Sequence, residues 1–433
     1  MTMGQWKIEP KRHELIFFAI RLFVLATGLL TTIAIGHFLG AAASGVLGLV
    51  LQTSTLAATV ATLGLDLALL RLFAPAVADG RPIATQLIGK LLGFVVAADI
   101  AFVGAVLFWL AISPEAVDRA TLMALIVALA LRPVIRFEVT LLQAHGKLVR
   151  SHLMEMPINL AILLALLLPN PTLTRVLAAM VAGTAAAAVP ALIGIARRMA
   201  HGRGGEGAFY MRARDVARSA MPLAAAALFV AAGDWLGLAY AGLYFGAAGA
   251  GTFRMAAQLA NGFMILFTSI AFSNLPALAR IANGGDRSEL GRLLRRMAVT
   301  AAALGVPVAL GATALAEPLL GAIHPEFAGA GAVLGILLAG QLAAVVMAPF
   351  AYALIVLGGE RLNMALAGVR FATIAALGAP AAWWGGLWGL AAAISAVLIL
   401  NNIAVWAMLR RALHSGPVPC ASAEITAPKA SLF

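Results

Sequence analysis

The chain has 433 residues, of which 62% are hydrophobic and 11% charged, with a net charge of +12. Soluble domains carry about 25% charged residues, so an ordinary cytosolic enzyme, a secreted disulfide scaffold and a disordered chain are all excluded. A polytopic membrane protein remains, and in that setting the basic excess speaks about topology rather than nucleic acid.

The opening stretch, Met1 to Glu14, mixes acidic and basic groups and lacks a short apolar core followed by a small-residue cleavage site, so no removable signal peptide is expected. Beyond it, apolar runs recur up to residue 409. A bilayer core of about 30 Å takes about 20 apolar helical residues per crossing. Twelve spans are predicted, at 14–38, 44–69, 86–111, 119–143, 152–168, 173–196, 217–242, 249–272, 297–320, 329–353, 362–384 and 387–409. Runs such as Ala120 to Leu131 do not alternate apolar with polar residues, which a membrane barrel would require. The expected fold class is therefore all-α. The lone cysteine, Cys420, lies in a polar tail, so neither an intrachain disulfide nor a thiolate metal cluster can form.

Lys and Arg gather at the ends and in alternate loops: Lys7, Lys11 and Arg12; Arg71 and Arg81; Lys147 and Arg150; Arg197 to Arg218; Arg280 to Arg296; Arg361; Arg410, Arg411 and Lys429. The other loops hold only Arg119 and Arg175. Positive charge is retained on the cytoplasmic side, which predicts both termini and the long 197–218 connection there, in an inner (cytoplasmic) membrane.

Aligning GHFLGAAASGVLGLVLQ with GLYFGAAGAGTFRMAAQ matches Gly36 with Gly242, Gly40 with Gly246, Ala41 with Ala247, Ala42 with Ala248, Gly45 with Gly251 and Gln52 with Gln258. A weaker echo sets Ala144-His145-Gly146-Lys147 against Gly358-Gly359-Glu360-Arg361. Six crossings per unit is even, so the two repeats enter the membrane in the same orientation, the parallel-repeat plan of transporters. The expected organisation is a six-helix lobe at 1–200, a cytoplasmic linker at 201–215, a second six-helix lobe at 216–412 and a cytoplasmic tail at 413–433. The small-residue runs Gly40 to Gly45 and Gly246 to Gly251 should let helices approach closely at the outer face.

A charge in mid-bilayer costs a few kcal/mol and must find a cavity or a partner. Arg21, Asp99, Arg132, Arg136, Glu138, Asp234, Arg254 and Arg370 fall inside predicted spans. Arg132 and Arg136, four apart, share a helical face. Arg21, Arg254, Arg132, Arg136 and Arg370 are the candidate substrate-binding residues, forming a cationic cavity; the alternative is that they snorkel or pair with Asp99, Glu138 and Asp234. Guanidinium binds phosphate oxygens through a planar fork and sheds water more readily than ammonium, so the expected cargo is anionic and phosphorylated. Asp99 and Asp234, near mid-span, are candidates for exchanging a proton or sodium ion. Asp66, Lys90, His152 and Glu155 lie near span ends, where interfacial hydration is expected, and His37 reads as a wetted residue at an outer helix end.

Pro133, Pro157, Pro190, Pro222, Pro307 and Pro349 lie in or beside spans, where they bend helices or serve as hinges. Arg287 to Arg296 reads as a short amphipathic surface helix on anionic membrane lipid. No zinc cluster, nucleophile elbow, P-loop or catalytic carboxylate pair stands at suitable spacing, so no cofactor, no metal and no catalytic residue are expected, and energy must come from an ion gradient or a separate protein.

Two stretches carry a family resemblance. One runs from Arg21 through Phe38-Leu39-Gly40, Gly45 and Leu63-Gly64-Leu65 to Leu69-Leu70-Arg71; the other joins Gly233-Asp234, Tyr244-Phe245-Gly246 and Pro276-Ala277-Leu278-Ala279-Arg280. They resemble the polysaccharide transporters of the multidrug/oligosaccharidyl-lipid/polysaccharide exporter superfamily, over about a third of the chain. The resemblance implies a MATE-like, V-shaped transporter rather than an enzyme: a flippase moving a polyprenyl-pyrophosphate-linked oligosaccharide across the membrane by alternating access. It also implies that Arg21 and Arg254, which occupy places similar to cationic residues of the family's first and eighth helices, hold the pyrophosphate. The peptidoglycan-precursor branch, with more helices, resembles the chain less. A cation-coupled multidrug exporter of the same superfamily and an integral-membrane glycan polymerase are the alternatives; short outer loops speak against the polymerase, and an arginine-rich interior against organic cations.

Overall fold

A computed structural model describes residues 12–62, 73, 77, 83–112, 118–201, 213–284 and 287–414. These are almost wholly helical: α1 Arg12–Thr62, α2 Thr85–Ile112, α3 Arg119–Ala144, α4 Leu148–Leu153, α5 Met156–Leu167, α6 Leu173–His201, α7 Ala213–Gly284, α8 Arg287–Ala314, α9 Ala316–Ile323, α10 Gly331–Val356 and α11 Glu360–His414, with a 3-10 turn at Pro325–Phe327. Nine helices among the described residues are long and apolar enough to cross a membrane. Three of the longest, α1, α7 and α11, are each broken by a glycine, at Gly40 (φ 75°, ψ −171°), Gly246 (φ 68°, ψ −170°) and Gly386 (φ 62°, ψ −155°). That region of backbone space belongs almost only to glycine, so each breaks its helix in one residue and leaves two limbs. With α1, α7 and α11 divided in this way, helices underlie the described parts of the predicted spans, though the span placed at 152–168 is interrupted between Leu153 and Met156 and that at 44–69 is described to Thr62. One is displaced: the span placed at 297–320 is α8, which ends at Ala314, and α9 is a separate short helix. The segment Arg287–Arg296, expected as a short amphipathic surface helix, is the continuous beginning of α8, because Leu290, Leu294 and Met297 are buried and carry the helix onward.

Local chemistry accounts for several ends. Asp118 caps α3 by accepting from the Thr121 N–H at 3.0 Å, and the Thr121 hydroxyl with that N–H holds the Asp118 carboxyl below the usual carboxylate range. Pro157 lies in the first turn of α5, where its missing N–H costs nothing, so it starts a helix rather than hinging one. At the end of α3, His145, Gly146 and Lys147 donate to the carbonyls of Leu141, Gln143 and Leu142. At the end of α10, Leu357, Gly358 and Gly359 donate to Ala353, Ile355 and Leu354 in the same pattern, and Gly146 (φ 69°) matches Gly358 (φ 84°). The echo noticed in the sequence is therefore real but slipped by two: Gly146 corresponds to Gly358, not to Glu360.

The chain divides into two compact units, Met1–Ala34 with Leu69–Val216, and Ile35–Ala68 with Ala217–Phe433. In the first, α6 packs against α3 and α5, and α2 against α3. In the second, α10 packs against α8 and α11. Residues 35–68 are thus packed with the second unit. The reason is a close crossing. A Cβ on Gly45 would overlap the carbonyl oxygen of Ala247, and one on Gly251 would overlap that of Ala41. Glycines 45 and 251 and alanines 41 and 247 are the pairs matched by the repeat, so the contact is reciprocal. Without side chains at these two points the backbones meet directly, as in other small-residue helix crossings.

Candidate functional site

Arg254 stands on the limb of α7 that follows Gly246 and is partly buried. Its side chain runs across Gly48 of α1, where an added Cβ would lie 2.5 Å from Arg254 Cδ and 2.7 Å from Nη1. Gly48 is thus the vacancy that lets a guanidinium lie flat beside the crossing of Gly45 and Gly251.

The preceding limb of α7 packs against α11. Phe229 stacks on Phe371 with centroids 5.8 Å apart, the Tyr240 hydroxyl donates to the Ala375 carbonyl at 2.8 Å, and Gly233 faces Ile374. Between these contacts Arg370 Nη2 reaches Asp234 Oδ1 at 3.2 Å, with the carboxylate side chain half-exposed and the arginine side chain 15% exposed. The next residue, Trp235, donates from Nε1 to Thr53 Oγ1 of α1 at 2.9 Å. Of the two readings open for Arg370 and Asp234, the pairing is the one realised. A further polar contact in this unit joins Gln341 Nε2 to Asn261 Oδ1 at 2.7 Å.

In the first unit, Arg132 and Arg136 lie partly buried on one face of α3. Glu155, at the break before α5, is near enough for its charge to act on Arg132, against the like charge of Arg136. Glu138 is buried at 2% exposure. It accepts from Arg198 Nη1 at 2.6 Å, in a space that exists because residue 194 is glycine: a Cβ there would overlap the Glu138 carboxylate. Arg198 was the partner that sequence reasoning missed, since spacing gives no sign that α6 returns beside α3.

Asp99 continues the buried stripe of α2, after Leu87, Leu91 and Val95 at helical spacing, and is 7% exposed. Its Oδ1 makes no hydrogen bond among the described residues. A buried carboxyl oxygen in that condition costs free energy unless it holds a proton or a cation. No group of three or more His, Cys, Asp or Glu side chains that could hold a metal ion is present among the described residues.

A hook of chain covers the turn at Gly40. Ala41 N–H, the first donor of the limb after Gly40, gives its hydrogen bond to Glu326 Oε2 at 2.6 Å. His37 Nδ1 lies 2.7 Å from the Ile323 carbonyl; a carbonyl only accepts, so this nitrogen carries the proton. Phe327, fully buried, fills the space beside Gly36. Glu317 secures the hook from behind by accepting from Gly329 N–H and, at 2.9 Å, from Gly331 N–H. His37 is therefore a hydrogen-bonded residue of the helix rather than of a loop, and it is exposed, as a wetted residue would be.

Arg21 lies in α1, but its side chain is outside the described residues, as are Leu63-Gly64-Leu65, Leu69-Leu70-Arg71, residues 202–212 of the linker, and Cys420 with the tail from 415.

No family model matches the sequence, and no curated protein sequence matches it. Solved structures do resemble it. An inward-facing multidrug resistance MATE family transporter of the MOP superfamily aligns with a TM-score of 0.66 and 12% identity, over 92% of this chain and 98% of that one. The lipid II flippase MurJ, in an inward closed conformation, aligns with a TM-score of 0.67 and 12% identity, over 92% of this chain and 87% of its own. The fold is the one these membrane proteins share. A Vibrio cholerae MATE transporter, VcmN, solved as a point mutant, aligns at 0.59 and 15% identity, over 93% and 95% of the two chains. Within this MATE-like fold, the glycine turns, the crossing they create and the arginines beside it are set on apolar helices of the present chain.

Proposed function

We propose that the chain is a flippase that carries a polyprenyl-pyrophosphate-linked oligosaccharide across the cytoplasmic membrane, with both termini on the cytoplasmic side. Its two six-helix lobes, 1–200 and 216–412, joined by the 201–215 linker, alternate access to the cargo, and an ion gradient drives the cycle. The observation that carries this reading is the presence of guanidinium groups within apolar helices, above all Arg254 lying across Gly48 at the glycine crossing. A fixed cation in hydrocarbon is retained where it meets an anion, and arginine grips phosphate oxygens in pairs. Arg254 and Arg21 are the pyrophosphate ligands in this reading, with Arg132 and Arg136 as a second cationic step. Arg370 enters only when Asp234 releases it. Asp99 is the coupling residue, exchanging a proton or a sodium ion; at Asp234 an ion must displace the Arg370 guanidinium.

Inner-leaflet accumulation of lipid-linked glycan tests the assignment. Arg254→Ala should slow export at least tenfold at normal expression, as expected for loss of a charge-assisted bond of about 1.5–3 kcal/mol. Export at the native rate removes Arg254 as a ligand. For coupling, transport in vesicles should lose its gradient dependence in Asp99→Asn; an undiminished dependence removes Asp99.

The second reading is a cation-coupled multidrug exporter, favoured by the likeness to MATE transporters and by the half-exposed carboxylate of Asp234. Drug efflux that persists with native glycan export intact in the Arg254→Ala variant would select it.

A further inference from the structure

One end of the second unit gathers arginines that neither the cargo nor the coupling reading uses. The exposed stripe of α8 runs Arg292, Arg295, Arg296, then Val299, Ala303, Val306 and Leu310, at spacings of three and four. The opposite stripe, Leu290, Leu294, Met297 and Ala301, is buried. A single outward face therefore changes from cationic to apolar between Arg296 and Val299, within one helical turn. That is the pattern of a helix passing from lipid head groups into acyl chains.

The same end includes the last turns of α11. Leu290 and Leu294 pack with Leu278, Ala353 and Leu409 in one buried cluster, and Arg287 Nη1 donates to the Leu413 carbonyl at 2.8 Å. Arg410 and Arg411 stand exposed in these last turns, with the Arg410 guanidinium 5.4 Å from the centre of the Trp406 ring. Arg292 and Arg296 repel each other at the i, i+4 spacing, and Arg292 bonds to the neutral Ser288 hydroxyl, at 3.1 Å. A phosphate oxygen held between Arg292 and Arg296 would relieve that repulsion.

We propose that this rim, Arg292, Arg295 and Arg296 of α8, binds the phosphate head groups of anionic phospholipids. The guanidinium forks take the phosphate oxygens, and the stripe from Val299 to Leu310 lies along the acyl chains. A soluble phosphate would use the first feature and leave the second without purpose, so the occupant is a lipid. The inference is independent of the transported cargo.

The full chain in nanodiscs of phosphatidylcholine containing a minor fraction of phosphatidylglycerol provides the test, read as the phosphatidylglycerol retained when the protein is released from the disc and weighed intact. The native chain should retain phosphatidylglycerol over phosphatidylcholine, less so as salt rises. R292Q/R295Q/R296Q should weaken retention about five-fold per arginine and about a hundredfold together, from the usual worth of a basic residue at an anionic surface. All three side chains are exposed, so the variant should melt with the native chain in pure phosphatidylcholine. Equal retention of the two lipids, retention in the native chain that ignores salt, or a folded variant that retains as much as the native chain would overturn the proposal. Displacement of the lipid by millimolar inorganic phosphate would also overturn it, in favour of a soluble anion.

Discussion

Gly40 and Gly246 occupy matched positions, 206 residues apart, with nearly identical backbone angles, yet their surroundings differ. Gly246 has no atom within 4 Å of where a Cβ would stand, whereas at Gly40 that position is 2.5 Å from Glu326 Oε2. The repeat has kept the turn and not its cover. The cover comes from the connection between Ala314 and Gly331, where the second half inserts α9 and a 3-10 turn; the first half has only a short link between Ile112 and Arg119. Backbone symmetry thus coexists with a one-sided clamp, and substitutions should separate the two.

The largest effect is expected at the crossing the two turns share. Gly45→Ala and Gly251→Ala each press a methyl group into a backbone carbonyl, which cannot yield as a side chain would, so each should cost about 3 kcal/mol or more. Because both act on one contact, the double variant should cost less than the sum of the two. Thermal unfolding in detergent checks both statements, and additive costs would dissolve the reciprocal contact.

Next in size is the comparison itself. Gly246→Ala meets only the backbone penalty, about 1–3 kcal/mol, while Gly40→Ala meets the same penalty and displaces Glu326. Equal melting temperatures for the two variants would mean that the clamp contributes nothing.

A smaller effect belongs to Glu326→Gln, which keeps the shape but weakens the bond to Ala41 N–H. A loss of about 1 kcal/mol is expected, as for a weakened helix cap. Combined with Gly40→Ala, its cost should largely vanish, since the clamp is already displaced.

The smallest concerns His145, at the end of α3. Burial, against a backbone hydrogen bond to Leu141 and aided by Arg198 and Lys147, pushes its imidazole below the ordinary value of 6.5. The folded protein then binds a proton less readily than the unfolded one, so this residue should reduce stability as pH falls below about 6.5, down to its depressed folded value. His145→Gln should flatten that slope in melting curves taken between about pH 7 and 5.

The helical plan was legible because hydrocarbon imposes it: apolar runs of sufficient length admit no other local structure. The match of Gly40 to Gly246 was legible because only glycine serves such a turn. At Gly146 and Gly358 the alignment slipped, since polar neighbours were matched where backbone conformation was the shared property. Contacts made at long range left no local signal, as with Glu326 reaching Ala41 across 285 positions or Arg198 reaching Glu138 across 60. Depth alone made Asp234 and Arg370 plausible partners, but whether a charge meets a neighbour or a wet space depends on how α7 rolls against α11, and that is fixed by Gly233, Tyr240 and Phe229 together. The start of α8 was misread because its arginines suggested a surface helix, while Leu290 and Leu294 anchor it to the bundle.

The meeting of Gly45 with Gly251 has a bearing on how the two halves age. Copies of a duplicated segment ordinarily diverge one at a time, each mutation judged on its own. Here either copy, on gaining a side chain, would collide with its sibling, so the pair is held to hydrogen by mutual exclusion, and this small patch should be the slowest part of the molecule to forget its origin.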